Sequence, residues 1–106
     1  MDEFATTEFP EVMFILELTY RDGALDQLDR WIPEHYEYID RHLATGEFLM
    51  SGRKVPRTGG VILAQGMDRA TIEQLVTEDP FHREDLAEYT ITEVQPTRSL
   101  LAQIAA

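Results

Sequence analysis

The amino-acid sequence predicts a single α+β domain whose elements follow the order β-α-β-β-α-β. Three observations support this. Short apolar segments rich in β-branched and aromatic residues end at turn signals, one long segment has apolar residues at helical spacing, and a shorter segment repeats that spacing. With 106 residues, 43% of them apolar, the chain fits one domain with one hydrophobic core. We expect residues 1–10 to be a flexible N-terminal tail and residues 11–106 to be the domain.

The first strand is predicted over Val12–Tyr20, because VMFILELTY is apolar and short. Arg21-Asp22-Gly23 follows as a turn, although Asp22 is also a possible cap for the next helix. That helix is predicted from apolar residues that recur every three or four positions. They are Leu25, Leu28, Ile32, Tyr36, Ile39 and Leu43.

The predicted long helix ends at Gly46, a residue suited to the left-handed conformation at a helix C-terminus. Pro33 lies inside the segment, has no N–H and clashes with the preceding turn. Either the helix kinks at Pro33, or a second helix begins there with the proline in its first turn.

The second half of the chain supplies three strands and one helix. Strands are predicted at Glu47–Lys54, at Val61–Gly66 after a loop over residues 55–60, and at Leu86–Gln95. Asp68 is expected to cap the second helix, which stops at Asp79-Pro80-Phe81 because a residue before proline disfavours helix. Residues 99–106 fit either a short helix or a strand-like tail.

This order of elements is the ferredoxin-like arrangement, a four-stranded antiparallel sheet with two helices on one face. The opposite face of the sheet would then be bare and partly apolar. Depending on register, we expect that face to include Leu16, Leu18, Ile62, Ala64 and Tyr89. Because a large apolar face is not left in water, we expect a homodimer in which two sheets pack face to face.

Charge and composition exclude several partners. The formal net charge is −11, and the nine basic residues are scattered rather than clustered. Nucleic acids and anionic membranes are therefore not expected partners. No apolar run approaches the ~20 residues that cross a bilayer, the first residues lack the pattern of a secretory signal, and there is no cysteine. Together these features favour a cytoplasmic location.

Four pieces of the sequence, in their order and spacing, resemble the YCII family (YciI-like proteins) over about residues 12–97. These pieces are the opening strand, PEHYEYIDRHLATGEFLMSG, the GGVILA strand, and EDPF before the last strand. The resemblance implies a ferredoxin-like protein that forms dimeric α+β barrels. The family contains a dehydrochlorinase that acts on a hydroxylated aromatic, which places elimination among the expected reactions.

The resemblance also implies the residues of a site. The helical His35 and the aspartate of the DPF segment, Asp79, would be the catalytic pair, and Ser51 would line the same pocket. Arg53 departs from the family pattern, in which many members have proline after the glycine. We therefore expect the pocket rim to be more basic, and its ligand more acidic, than in a typical member. The predicted substrate-binding residues are Ser51, Gly52, Arg53, Tyr36 and Phe81. Tyr36 also fits a core position on the apolar face of the helix.

The residues themselves give the pair partial support. His35 lies at the boundary of the apolar stripe, His42 falls further toward water, and we read His82 as exposed. Imidazole titrates near neutrality and suits proton transfer, and an adjacent carboxylate would select its tautomer. The structural alternatives are a solvated histidine and, for Asp79, a turn former.

Other chemistries have weaker support. The histidine spacings match no metal site, and the Gly pair in PRTGG, read as a hairpin loop, lacks the dinucleotide-binding pattern. We therefore expect no metal and no cofactor. A hydrolytic triad of Ser51, His35 and Asp79 is a weaker alternative. Two functions follow: an enzyme that uses His35 and Asp79 for proton transfer or elimination on a small oxygenated or aromatic substrate, or a non-catalytic dimeric binding or accessory module.

Overall fold

The computed structural model describes residues 12–98, which form one antiparallel sheet, a long helix and a shorter helical segment. The strands are β1 (Met13–Tyr20), β2 (Phe48–Arg53), β3 (Gly59–Gln65) and β4 (Ala87–Val94). The helices are α1 (Leu25–Thr45), α2 (Arg69–Leu75) and α3 (Pro80–Arg83), with a 3₁₀ turn at Val76–Glu78 between α2 and α3. The predicted tails, residues 1–10 and 99–106, lie outside the described residues.

The strands lie side by side in the order β2-β3-β1-β4, and each neighbouring pair is antiparallel. Apolar side chains of α1 and α2 pack with those of the sheet into a single core. This is the ferredoxin-like βαββαβ fold that the sequence predicts. The four-residue helix α3 was not predicted, because Asp79-Pro80 was read only as a stop signal.

The prediction of which sheet face is bare was wrong. Leu16, Leu18, Ile62 and Ala64 are all buried, and Tyr89 pairs with Leu18 on the same face, which is the helix-covered side. Because β1 is an almost continuous apolar run, its alternate residues do not indicate which face is buried, and a shift of one residue exchanges the faces. The open face instead carries Ile15, Met50, Val61, Leu63 and Val94.

The buried face of α1 is rotated from the one predicted. Its buried residues are Leu28, Tyr38, Ile39 and His42, whereas Tyr36 is 50% exposed. At about 100° per residue, the true face is therefore centred on the side of the histidines. The expectation that Tyr36 is a core residue was wrong, and so was the expectation that His42 points toward water.

The two ends of α1 differ in how they are capped. Gly46 adopts a left-handed conformation at φ 84° and its N–H reaches the Leu43 carbonyl, as predicted. Among the described residues no side chain caps the N-terminus at Ala24, so the alternative in which Asp22 caps this helix is not supported. Pro33 lies inside one continuous helix, which removes the alternative in which a second helix begins there.

The hairpin between β2 and β3 is shorter than predicted. Gly59 and Gly60 belong to β3 rather than to the loop. A Cβ atom on Gly59 would lie 1.8 Å from the Leu18 carbonyl oxygen, so only glycine allows β3 to approach β1 at this point. This close approach fixes the end of the sheet that carries the site described below.

Candidate functional site

His35 on α1 and Asp79 before α3 form a direct hydrogen bond. Nδ1 of His35 lies 2.8 Å from Oδ1 of Asp79. The His35 side chain is 13% exposed and the Asp79 side chain is fully buried. Because an ionised carboxylate only accepts, Nδ1 carries the proton and donates it. The structure gives Nε2 of His35 no hydrogen-bond partner among residues 12–98.

The sequence around Asp79 explains how a buried carboxylate is held there. Asp79 is the N-cap of α3, Pro80 occupies the first helical position, and the Asp79 side chain accepts from the Phe81 N–H at 3.0 Å. The backbone N–H groups of His82 and Arg83 bond to the Asp79 carbonyl. The side-chain Oδ1 and the backbone carbonyl oxygen of Asp79 therefore both accept hydrogen bonds from α3, and these bonds fix the orientation of the carboxylate.

Two tyrosines extend the hydrogen bonding of Asp79. The Tyr89 hydroxyl donates to Asp79 Oδ2 at 2.6 Å, and the Tyr38 and Tyr89 hydroxyl oxygens are 3.2 Å apart. Since the single Tyr89 proton is used on Asp79, Tyr38 donates to Tyr89. Burial raises the pKa of Tyr38 and of Tyr89 well above that of a free phenol, so both stay neutral donors.

An aromatic ring fixes the plane of the His35 imidazole. Phe81 stacks on His35 with ring centroids 4.1 Å apart and planes within 6°. Tyr20 meets the Phe81 ring edge-on at 6.2 Å. With Nδ1 bonded to Asp79 and one ring face covered, the imidazole has a single orientation.

A cavity of about 100 Å³ opens beside His35, between α1 and the ends of β1, β2 and β3. All five predicted substrate-binding residues line it together with His35. They are Ser51, Gly52 and Arg53 from β2, Tyr36 from α1, and Phe81 from α3. The structure thus brings the predicted residues to one place, while their roles in binding stay predictions. Ser51 forms no hydrogen bond with His35 among the described contacts, which leaves a hydrolytic triad without support.

A second histidine lies seven residues along α1 and has a different environment. His42 Nδ1 is 2.7 Å from Glu47 Oε1, and His42 Nε2 is 3.0 Å from Glu78 Oε1. The His42 hydrogen bond lowers the pKa of Glu47. Burial opposes the same effect at Glu78, but hydrogen bonds from His42 and Arg41 still lower the Glu78 pKa. Both ring nitrogens of His42 are occupied by protein.

The remaining candidates are placed as follows. His82 is exposed, as predicted. Within residues 12–98, no group of three or more His, Cys, Asp or Glu side chains is arranged to hold a metal ion. Within the same residues, no helix is both long and apolar enough to cross a bilayer.

Sequence reasoning missed three residues of this site. Tyr89 was assigned to the bare face, the contact of Tyr38 with Tyr89 was not predicted, and Arg57, which lines the cavity, was read as part of a hairpin loop. The alternation of Tyr89 with Thr90 along β4 was a usable signal for Tyr89 once the helix-covered face was known. No such signal existed for Arg57, because the direction of its side chain depends on the path of the hairpin between β2 and β3.

Comparisons with known proteins agree with this fold. A family model described as the YCII-related domain matches residues 12–95. Among solved structures, the chain is similar to 5-chloro-2-hydroxyhydroquinone dehydrochlorinase (TftG) from Burkholderia phenoliruptrix AC1100, solved in complex with 2,5-dihydroxybenzoquinone. The TM-score is 0.67 at 17% identity, covering 76% of this chain and 90% of that chain. At this identity the likeness shows the fold. The search of curated proteins found no match.

Proposed function

We propose that this chain, which belongs to the YCII family, is a small enzyme that needs no cofactor and uses His35 and Asp79 for acid–base chemistry. One observation carries the proposal. One ring nitrogen of His35 is bonded to a fully buried carboxylate, its other nitrogen has no hydrogen-bond partner among residues 12–98, and the side chain lines an open cavity. The predicted substrate is a compact oxygenated or aromatic molecule.

In this proposal Nε2 of His35 is the general base. Asp79 holds the Nδ1–H tautomer, so that the lone pair of Nε2 is available, and stabilises the imidazolium once a proton has been accepted. The hydroxyl of Tyr89 and the N–H of Phe81 keep the carboxylate in place. Asp79 is therefore a positioning residue, because it acts through His35.

Elimination is the favoured reaction class. Nε2 of His35 would take a proton from a substrate carbon, the C–H electron pair would become the new double bond, and the leaving group would depart with the electron pair of its own bond. The same base serves a simple proton transfer, in which the proton returns at another atom. Ser51 and Arg53 would hold substrate oxygens, and Tyr36 would lie at the cavity mouth. The solved structure with a similar fold is a dehydrochlorinase, which supports elimination as a reaction class.

The alternative is a binding or accessory module that does no chemistry. Such a module has no need of a histidine with one engaged and one unengaged nitrogen at its cavity. The 2.8 Å contact between His35 and Asp79, beside an open cavity, therefore favours the enzyme.

The test is a turnover screen of small hydroxylated and chlorinated aromatic compounds, monitored by NMR for loss of substrate. We expect His35→Gln to lower the rate by about 10²–10⁴-fold, the usual contribution of a general base. His42→Gln is the matched control, because it makes the same change on the same helix away from the cavity, and it should keep most of the activity. Equal rates in His35→Gln and the parent would contradict the proposal.

We also propose that a second copy of the chain covers the open face of the sheet. Ile15 is 38% and Met50 41% exposed on that face, with Val61 and Leu63 beside them. Glu17 and Lys54 pair at 2.7 Å on the same face, so its charges are already balanced within one copy. Light scattering should give a dimer for the parent and a monomer for Ile15→Lys. A monomeric parent at micromolar concentration would contradict the proposal.

A further inference from the structure

The charge of the cavity lining differs from that of the rest of the molecule. The chain has twenty acidic residues and a net charge of −11. Among residues 12–98, the lining contains Arg53 and Arg57 but no aspartate or glutamate. This acidic protein therefore has a cavity whose charged lining residues are arginines, and the same cavity is lined by His35 with its unengaged nitrogen.

The neighbouring basic side chains separate into two groups. Lys54 is paired with Glu17 on the open face and does not line the cavity. The Arg53 side chain has no ion-pair partner among residues 12–98. The only ion-pair partner of Arg57 within the described part of the chain is Asp29, 3.5 Å from one terminal nitrogen, and the Asp29 side chain is 79% exposed. A pair of that length and exposure contributes little and leaves the Arg57 charge largely uncompensated.

The Arg57 guanidinium also has an unused donor. Its Nε is a buried side-chain nitrogen with no hydrogen-bond partner in the described structure. Buried donors of a charged group are normally satisfied, and arginine pairs best with a planar acceptor that takes two parallel hydrogen bonds. A carboxylate is such an acceptor, and the cavity volume of about 100 Å³ restricts it to a small molecule.

We propose that the cavity binds a small organic acid, with the carboxylate held by Arg57 and Arg53 and the reacting atom presented to His35. This inference rests on the proposed function, because the acid is taken to be part of the substrate. Arg57 would select the anionic form through the charge of its guanidinium group, which lines the cavity although its Nε is buried, and Arg53 would add charge from the β2 side. The family resemblance assigns no role to Arg57.

The test compares benzoate with benzamide, which has nearly the same shape but no charge. Each would be titrated into the ¹⁵N-labelled protein, following the amide signals of the cavity residues Gly59, Gly60 and Ser51. We expect benzoate to bind about tenfold or more tightly than benzamide, the difference expected for hydrogen bonds to a charged group. Equal affinities, or no saturable shift with either compound, would overturn the inference.

Four variants assign the effect to residues. Arg57→Gln should remove most of the preference for benzoate, and Arg57→Lys, which keeps the charge but loses Nε and the planar fork, should retain only part of it. Lys54→Gln removes the same charge next to Arg53 but outside the cavity, and should leave the preference intact. A preference that survives in both Arg57→Gln and Arg53→Gln would overturn the assignment. Dispersed amide spectra check that each variant is folded.

The outcome is separable from that of the proposed function. If benzoate has no advantage while neutral substrates are turned over in a His35-dependent way, the organic-acid inference fails and the enzyme proposal stands. If benzoate binds selectively through Arg57 but no substrate is turned over, carboxylate binding by the cavity stands, the enzyme proposal fails, and the binding-module alternative is favoured.

Discussion

Helix α1 presents two histidines with opposite arrangements, and the difference identifies which one is suited to chemistry. His42 has a carboxylate at each ring nitrogen, Glu47 at 2.7 Å and Glu78 at 3.0 Å. His35 has a single carboxylate, Asp79, at Nδ1 and no partner at Nε2 in the part of the chain that the structure describes. Their side chains are similarly buried, at 11% and 13% exposed. Burial therefore does not separate them, whereas an unengaged nitrogen beside a cavity does.

The carboxylates differ as much as the histidines. Asp79 is fully buried and accepts hydrogen bonds from His35, from Tyr89 and from the Phe81 backbone. Glu47 and Glu78 are partly exposed, at 34% and 44%. Water can replace a lost partner at the second cluster but not at the first. The site around Asp79 should therefore be rigid and costly to disturb, and the cluster around His42 should tolerate change.

The largest expected effect on stability comes from Asp79→Ala. Three buried donors would lose their acceptor, at about 1 kcal/mol each, so the free energy of unfolding should fall by about 3 kcal/mol. Urea denaturation followed by circular dichroism measures this.

Asp68→Ala is the matched control for that variant. Asp68 is also a helix cap, accepting from the Thr71 N–H at 2.8 Å, but it is exposed. Its loss should cost only about 1 kcal/mol. If Asp79→Ala costs no more than Asp68→Ala, the contrast between a buried and an exposed carboxylate is wrong.

A smaller effect is expected for Tyr89→Phe. This change removes the 2.6 Å hydrogen bond to Asp79 and leaves the Tyr38 hydroxyl without its acceptor. We expect a loss of about 1 kcal/mol in the free energy of unfolding. Tyr36→Phe is the control, because Tyr36 is half exposed and should change stability by much less. Equal effects would mean that the tyrosine chain does not support Asp79.

The smallest effect concerns the loss of stability at acid pH that arises at the cluster of His42, Glu47 and Glu78. The pKa values of Glu47 and Glu78 are lowered in the folded protein. A lowered carboxyl pKa stabilises the fold above about pH 4.5, and that stabilisation is lost as pH falls through the folded value.

In His42→Gln the free energy of unfolding should therefore fall less steeply between about pH 5 and pH 3. The difference from the parent should be less than ~1 kcal/mol, because both carboxyls are partly exposed. Urea denaturation at several pH values measures it. His82→Gln, which changes an exposed histidine, should leave the pH dependence of stability unchanged. The same pH dependence in His42→Gln as in the parent would show that His42 does not lower these pKa values.

The sequence predicted the order of elements because each strand is short and apolar and each helix has a clear spacing. Asp68 caps α2 and Gly46 ends α1 for the local reasons expected. The prediction of which sheet face is covered was wrong because β1 is apolar on both sides, and this error placed Tyr89 on the face away from the site. The prediction of which face of α1 is buried was wrong because three apolar residues of this helix are exposed, namely Leu25, Tyr36 and Leu43.

The candidate site was predictable only in part. The family resemblance placed His35 and Asp79 together, and the structure brings them into hydrogen-bond contact. No local pattern could place Tyr38 and Tyr89, because they meet across two elements that lie 51 residues apart in sequence. Arg57 depends on the path of the β2–β3 hairpin, which only the assembled sheet determines.

The most direct test of the account is the tautomer of His35, measured by long-range ¹H–¹⁵N correlation at about pH 8, above the ordinary titration of imidazole. We predict that Nδ1 carries the proton and that Nε2 is unprotonated, with this preference lost in Asp79→Ala, which removes the acceptor. Benzoate or a substrate should then shift the Nε2 signal of the parent protein. A His35 protonated at Nε2, or a tautomer unaffected by Asp79→Ala in a folded variant, would contradict the claim that Asp79 holds His35 as a base for the cavity.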